Sequence, residues 1–294
     1  MGATMAGRYG TISHVIRTAR PRQWVKNVLV MVPGLFGGAV FEPRAALALG
    51  LAFAAFCLAA SGVYFVNDVR DAEQDRQHDN KRFRPVAAGT LSPASALVAG
   101  GCLLTGALGL GFAAGAGPVI ALYIAISLAY CMVLRDVLGV DLVAVASGFP
   151  LRVIAGAQAV GTPAPFWLLV AVFTGALFVV AGKRYSEAVV FGELRARIRP
   201  TLARYRAPQL RGILLATAVA SVASYALGAA ASYDRDGKVF LALSLIPYTL
   251  VLVRYAIAVK QARGSNPGHV LRGDRVLQLL GVVWFCLFAI RTLA

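Results

Sequence analysis

Negative charge is what this sequence has least of. Only 13 Asp and Glu stand against 29 Lys and Arg, a formal net charge of +16, and charged residues make up 14% of the 294, where a soluble domain carries about 25%. So few charges cannot cover a soluble fold in which 59% of residues are apolar. A mean hydropathy of +0.70 excludes a disordered chain, which needs low hydrophobicity. A soluble nucleic-acid binder is excluded on the same ground, because it could not hide this much apolar surface. An integral membrane protein whose few charges are mostly basic fits the numbers.

Thiols and imidazoles are scarce as well, with four Cys and three His. Cys57, Cys102, Cys131 and Cys286 each sit in an apolar run without CxxC spacing. They read as small buried hydrophobes rather than as a zinc site or disulfide framework. His14, His78 and His269 show no ligand spacing and read as surface residues. The first twenty residues carry Arg8, Arg17 and Arg20 but no apolar core of a signal peptide. No removable leader is expected, and insertion should depend on the spans themselves.

Long apolar runs are abundant. A membrane helix needs about 20 mostly apolar residues, and nine candidates appear at about 24–40, 45–67, 94–116, 118–134, 138–160, 164–182, 210–232, 239–259 and 276–293. The expected fold is therefore an all-α membrane protein of nine transmembrane helices, with residues 1–294 forming a single domain. Gly109, Gly111 and Gly115 form a GxGxxxG-like string. It lies inside a span with no strand before it, so it reads as close helix packing rather than a nucleotide loop. Pro33, Pro150 and Pro247 fall inside spans, where neighbouring helices can compensate for a lost backbone bond.

Charge placement sets the expected orientation. With the N-terminus inside, 24 of the 29 Lys and Arg fall on the cytoplasmic side, Arg44, Arg235, Lys238 and Arg291 fall outside, and Arg152 lies within a span. Ten of the 13 acids share the cytoplasmic side. The polar chemistry is thus expected there, with the C-terminus outside.

Residues 67–85 read NDVRDAEQDRQHDNKRFRP. Asn67, Asp68, Asp71 and Asp75 fit N-D-x-x-D-x-x-x-D, a spacing that places the three carboxylates on one helical face where the second span leaves the membrane. Unpaired, they would repel each other. Mg²⁺ relieves that repulsion, because it takes oxygen ligands and joins carboxylates to substrate phosphates. Lys81, Arg82 and Arg84 follow at once and can hold phosphate oxygens that the metal does not.

This string resembles the first aspartate-rich motif of the UbiA superfamily of intramembrane prenyltransferases. Span count, orientation and motif position extend the resemblance over nearly the whole chain. It implies a UbiA-type helical bundle with a polar cavity on the cytoplasmic side, and Mg²⁺ and a diphosphate at Asn67, Asp68, Asp71 and Asp75, with the three aspartates catalytic. Aromatic prenyltransferases of the superfamily carry a second, DxxxD-like motif after span six. Here that place reads GKRYSEAVVFGE, from Gly182 to Glu193, with Lys183, Arg184, Tyr185 and Glu187 and no aspartate. The family's tyrosine–lysine motif is altered too: Tyr130 is followed by Arg135.

With RPRQWVKN (Arg20 to Asn27) and ASGFPLR (Ala146 to Arg152), these departures resemble the decaprenyl-phosphate phosphoribosyltransferase branch, which serves cell-wall arabinan (arabinogalactan) synthesis. That branch implies phosphoribosyl diphosphate as donor and decaprenyl or another polyprenyl phosphate as acceptor, in a bacterial plasma membrane. On this reading Lys81, Arg82, Arg84, Lys183, Arg184 and Tyr185 hold donor phosphates, and Lys26 and Arg152 hold the lipid phosphate. Glu187, Tyr130 and Arg135 stand as further candidates. Membrane lipids are partners, nucleic acid is not, and there is room for a homo-oligomer.

Each of these residues also has a plainer role. Arg152 could pair with Asp141 or a carbonyl, Lys26 could snorkel beside Trp24, and Asp274 reads as a helix N-cap. The basic run Arg195–Arg211 is expected to rest on anionic headgroups, or in part to cover the site. SNPG at Ser265–Gly268 reads as a turn. Two alternatives remain: a UbiA-type enzyme with a prenyl diphosphate donor and an aromatic or lipid acceptor, and a transporter. The clustering of acids at one helix end rather than at midplane speaks against the transporter.

Overall fold

The computed structural model describes residues 13–36, 38–77, 79–191, 200–231, 235–261, 264 and 267–290. Among them are helices and turns and no strand. A 3₁₀-helical segment, Pro21–Met31, leads into the short α1 (Val32–Phe36). α2 (Pro43–Arg70) and α3 (Ala72–Arg76) follow, then α4 (Pro93–Ala113), α5 (Gly117–Met132) and α6 (Val140–Ala159). The remainder is α7 (Phe166–Phe191), α8 (Pro200–Arg204), α9 (Ala207–Ala230), α10 (Arg235–Lys260), α11 (Pro267–Gly273) and α12 (Arg275–Ile290).

All nine apolar runs of the sequence coincide with helical elements, but not all nine are long enough to cross a bilayer. Six described helices pass by length and apolarity: α2, α4, α6, α7, α9 and α10. The pair α11–α12, bent by 90°, brings the number to seven if it counts as one span. α5 is apolar but has only 16 residues. The first expected span divides between the 3₁₀ segment and the five-residue α1, with Gly38 beyond it in the left-handed region at φ 67°.

The chain divides into two compact units. The first holds the 3₁₀ segment, α2 to α5 and the end of α6 from Ile154. Here α2 and α4 meet backbone to backbone. A Cβ on Gly62 would lie 2.9 Å from the Gly100 carbonyl oxygen and 2.7 Å from Leu104 Cγ. Small residues at such crossings replace the hydrophobic drive that lipid does not provide. Ser92 starts α4 by accepting a bond from the Ser95 N–H at 3.1 Å, with Pro93 at the first helical position. Phe65, Ala72, Val86, Leu91 and Ala96 form a core beneath the end of α2.

The second unit holds most of α6 and α7 to α12. Trp167 of α7 lies over Gly228 of α9, where a Cβ would fall 2.1 Å from the indole. The rings of Tyr225 and Tyr248 stack at 4.8 Å, and Trp284 donates to the Tyr225 hydroxyl at 3.2 Å. Asp274 caps α12 as its sequence position suggests, accepting from the N–H groups of Val276 and Leu277 at 3.1 and 3.2 Å.

Two expectations change here. Cys57 and Cys131 are buried, but Cys102 and Cys286 are exposed on their helices, where a small apolar side chain can face hydrocarbon. His14 is half-buried and His269 exposed. His78, Arg195, Arg197, Arg199, Ser265 and Asn266 lie outside the described residues.

Candidate functional site

Two polar clusters form, one in each compact unit. The first is built where α2 ends. α2 runs to Arg70, and Asp71 turns the chain with φ −89° and ψ 0° before α3 begins. The break preserves the helical ladder: Asp71 N–H donates to the Asn67 carbonyl at 2.9 Å and Asp75 N–H to the Asp71 carbonyl at 2.8 Å. The side chains then pair off: Asn67 bonds Asp71, and Asp68 and Asp75 meet the same guanidinium, that of Arg84. Asp68 and Asp75 are 1% and 2% exposed, while Asn67 and Asp71 are half-exposed.

A buried carboxylate must be paired or neutralised. Arg84 Nη1 lies 3.3 Å from Asp68 Oδ1 and 2.6 Å from Asp75 Oδ2. Arg20 also pairs with Asp68. Burial pushes the Asp75 carboxyl above the ordinary carboxylate range, and Arg84 pulls it back. Asn67 donates to Asp71 at 3.1 Å, and the Cys131 thiol approaches Asn67 Oδ1 at 3.6 Å. Lys81 and Arg82 stand on the 3₁₀ turn Lys81–Phe83, with Arg82 exposed over the Phe83 ring.

Arg20 escaped the sequence reading as a site residue. It has a left-handed φ of 53°, directly before Pro21. A non-glycine residue there costs on the order of 1–3 kcal/mol and persists only when its surroundings enforce it. The enforcing contacts are the Asp68 ion pair and the Tyr64 ring, 4.5 Å below the guanidinium. Its sequence signal, the RPRQWVKN string that it opens, does not name a partner 48 residues away.

The metal expectation can be tested on this geometry. Among the described residues no three His, Cys, Asp or Glu side chains stand close enough to hold an ion together. Yet Asn67, Asp68, Asp71 and Asp75 offer only hard oxygen acceptors besides one amide, and Asp68 and Asp75 already share one positive group, Arg84. The donor chemistry fits Mg²⁺.

The second cluster centres on Asp141, which is 0% exposed at the start of α6. It accepts from the Tyr205 hydroxyl and, at 3.2 Å, from Arg184 Nε. Arg184, 4% exposed, also donates from Nη1 to Glu187 at 3.0 Å. Lys183 Nζ stands 3.7 Å from the other Glu187 oxygen. Lys183, Arg184, Tyr185 and Glu187 are thus not in a loop: α7 carries them on its last turns, beyond the expected end near residue 182. Tyr205 Oη accepts the Gly139 N–H at 2.8 Å, and burial together with the bond to Asp141 raises its pKa.

The sequence did not single out Tyr205, and Asp141 stood there only as a partner for Arg152. Asp141 instead meets Arg184 and Tyr205, and Arg152, 6% exposed, donates to the Gly148 carbonyl and lies 5.7 Å from the Phe149 ring centre. Arg135 is near Asp136 at 3.9 Å, and its carbonyl accepts from Thr201 at 2.8 Å. Tyr130 is half-buried in α5, and Lys26 is exposed on the 3₁₀ segment.

Residues 28–280 match the model of the UbiA prenyltransferase family. The chain is 39% identical over 282 residues to the decaprenyl-phosphate phosphoribosyltransferase of Corynebacterium glutamicum, covering 93% of this chain and 85% of that protein. It is 40% identical over 283 residues to the decaprenyl-phosphate phosphoribosyltransferase of Mycobacterium tuberculosis, covering 93% and 92%. Among solved structures it is similar in fold to a UbiA homolog from Archaeoglobus fulgidus bound to GPP and Mg²⁺, with a TM-score of 0.72 at 19% identity over 95% of this chain and 98% of that one.

Proposed function

The chain belongs to the UbiA prenyltransferase family and is a multi-pass membrane protein, and we propose that it is a decaprenyl-phosphate phosphoribosyltransferase. It moves 5-phosphoribose from phosphoribosyl diphosphate to decaprenyl or another polyprenyl phosphate and releases diphosphate, a step towards cell-wall arabinan. The observation that carries this reading is the 39–40% identity to enzymes of that name across 93% of the chain. The replacement of the second aspartate-rich motif by Lys183, Arg184, Tyr185 and Glu187 supports it, because fewer acids and more bases suit a donor with an extra phosphate.

In this transfer the C1–O bond to diphosphate breaks and a C1–O bond to an acceptor phosphate oxygen forms. The acceptor is anionic near pH 7, so no strong base is required. An oxocarbenium-like ribose develops as the diphosphate departs, as in other glycosyl transfers. Positioning and electrostatics then supply the rate. Asn67, Asp68, Asp71 and Asp75 would hold Mg²⁺. When bound, the metal supplies Lewis-acid neutralisation of the leaving diphosphate.

Lys81, Arg82 and Arg84 bind diphosphate oxygens beside the aspartates. Lys183 and Tyr185 bind the 5-phosphate, and Arg184, held by Asp141 and Glu187, fixes the end of α7 that presents them. Lys26 and Arg152 take the lipid phosphate. The chain crosses a bacterial plasma membrane nine times, counting the 3₁₀ segment and the short α5. Its N-terminus and polar chemistry lie on the cytoplasmic side and its C-terminus outside, in keeping with the distribution of Lys and Arg.

The test is incubation of the purified protein with Mg²⁺, labelled phosphoribosyl diphosphate and polyprenyl phosphate. Label extractable with the lipid is the expected result. Label transfer solely from a prenyl diphosphate to an aromatic ring would overturn the reading in favour of the other branch of the family.

A further inference from the structure

A groove of about 670 Å³ lies within the second unit, among α7, α9 and α10. Its size falls in the range of small-molecule sites, about 300–1,000 Å³. Phe178 of α7, 1% exposed, contributes to its floor, and Leu215 and Val253, 68% and 49% exposed, form part of its open rim. Ala218 and Ala256 line it where larger side chains would fill it. The lining is carbon almost throughout, with hydroxyls from Thr249 and from Tyr185, the side chain assigned above to the donor, and with two cations at one end.

That end carries Arg211 and Lys260. Arg211 stands near the start of α9 and Lys260 is the last residue of α10. The two helices are consecutive, so their start and end meet on one side. Both cations are exposed, and no carboxylate among the described residues forms an ion pair with either. A long apolar trough with two cations at its mouth matches an amphiphile with an anionic head.

Length decides which amphiphile. The lining of α9 runs from Arg211 to Ala223, about 18 Å at a rise of 1.5 Å per residue. That is close to one leaflet of a bilayer whose hydrocarbon core is about 30 Å thick. A fatty-acyl tail fits this depth, whereas a decaprenyl tail is far longer than the groove. We propose that the groove is a site for an anionic glycerophospholipid, its phosphate held by Arg211 and Lys260 and an acyl chain lying over Ala218 and Ala256. Neither Lys26 nor Arg152, the residues assigned to the acceptor lipid, is part of its lining, and it gives a definite place to one end of the basic run that the sequence assigns to headgroups.

The test is native mass spectrometry of the full-length protein with equimolar phosphatidylglycerol and phosphatidylcholine of the same acyl length. Each basic residue near a headgroup favours an anionic lipid about fivefold, so the pair predicts a preference of order 30-fold. R211Q/K260Q should remove the preference while leaving phosphatidylcholine bound, and R211K/K260R should restore it, which separates charge from misfolding. Ala218→Leu with Ala256→Leu should reduce retention of both lipids. An equal preference in wild type and R211Q/K260Q would overturn the proposal. So would displacement of phosphatidylglycerol by an equimolar polyprenyl phosphate. Neither result would bear on phosphoribosyl transfer, which is assayed separately.

Discussion

A single guanidinium, that of Arg84, reaches two buried carboxylates: its Nη1 lies 2.6 Å from Asp75 and 3.3 Å from Asp68. The two aspartates are seven residues apart on the α2–α3 stretch, and Arg84 follows Asp75 by nine residues. The short segment between them folds back so that the basic tail of the string neutralises its acidic head. Arg20 adds a second cation on Asp68 from a different part of the chain.

Removing Arg84 should therefore cost stability. Arg84→Gln leaves Asp75 buried without its described cationic partner, while Asp68 keeps Arg20. Breaking a buried pair typically costs about 3–5 kcal/mol, and the partial exposure of Arg84, 26% of its side chain, places the expected loss at about 2–3 kcal/mol. The measurement is a thermal-unfolding midpoint in detergent with and without Mg²⁺. A smaller loss in Mg²⁺ is expected, and equal losses would argue against these carboxylates as metal ligands.

Asp71 separates metal binding from folding better than Asp68 does, because it is half-exposed whereas Asp68 is buried on two guanidinium groups. Asp71→Asn should fold normally and lower lipid-linked phosphoribose formation on the order of 100-fold or more at saturating Mg²⁺, the equivalent of losing a few kcal/mol of charge stabilisation. Wild-type turnover in this variant would remove Asp71 from the metal set.

Tyr205→Phe keeps the ring in the core with Leu142, Val180 and Leu202 but removes the hydroxyl between Asp141 and the Gly139 N–H. Leaving buried partners less satisfied costs about 1–3 kcal/mol each. The expected result is a lower unfolding midpoint. Because the two residues share one bond, Tyr205→Phe combined with Asp141→Asn should lose less than the sum of the single losses. Strict additivity would mean that the bond contributes nothing.

Lys183 and Arg184 are neighbours with different expected roles. Lys183→Gln should raise KM for phosphoribosyl diphosphate about tenfold or more, the scale of one charge-assisted hydrogen bond, with the unfolding midpoint unchanged. Arg184→Gln should lower the midpoint, because it leaves Asp141 at 0% exposure without this guanidinium. A KM shift confined to Arg184→Gln would exchange the two assignments.

Much of this was legible in the sequence because it is local. Backbone bonds from Asp71 to Asn67 and from Asp75 to Asp71 span the turn, so residues near in sequence stay near in space. The cap at Asp274 follows from one residue type at one helix start. Arg20 with Asp68, and Tyr205 with Asp141, were illegible because their partners lie 48 and 64 residues away, and neither residue type nor spacing selects one distant partner from many. The end of α7 was misplaced for a related reason. Hydropathy falls at Lys183, but the backbone stays helical because Asp141 and Glu187 receive the charges that would otherwise terminate a membrane helix there.

The sequence by itself determined that this is an all-helical membrane protein and placed its long apolar helices to within several residues. Backbone groups in hydrocarbon must be satisfied within each segment, so an apolar run is sufficient to specify a helix. It also determined the oxygen-rich string that resembles a metal–diphosphate site. Only the tertiary structure decided which cation meets which carboxylate, and that α7, α9 and α10 leave a groove ending in Arg211 and Lys260. Those outcomes depend on which helix faces pack, a choice made by side-chain volume and long-range charge pairing that no local pattern encodes.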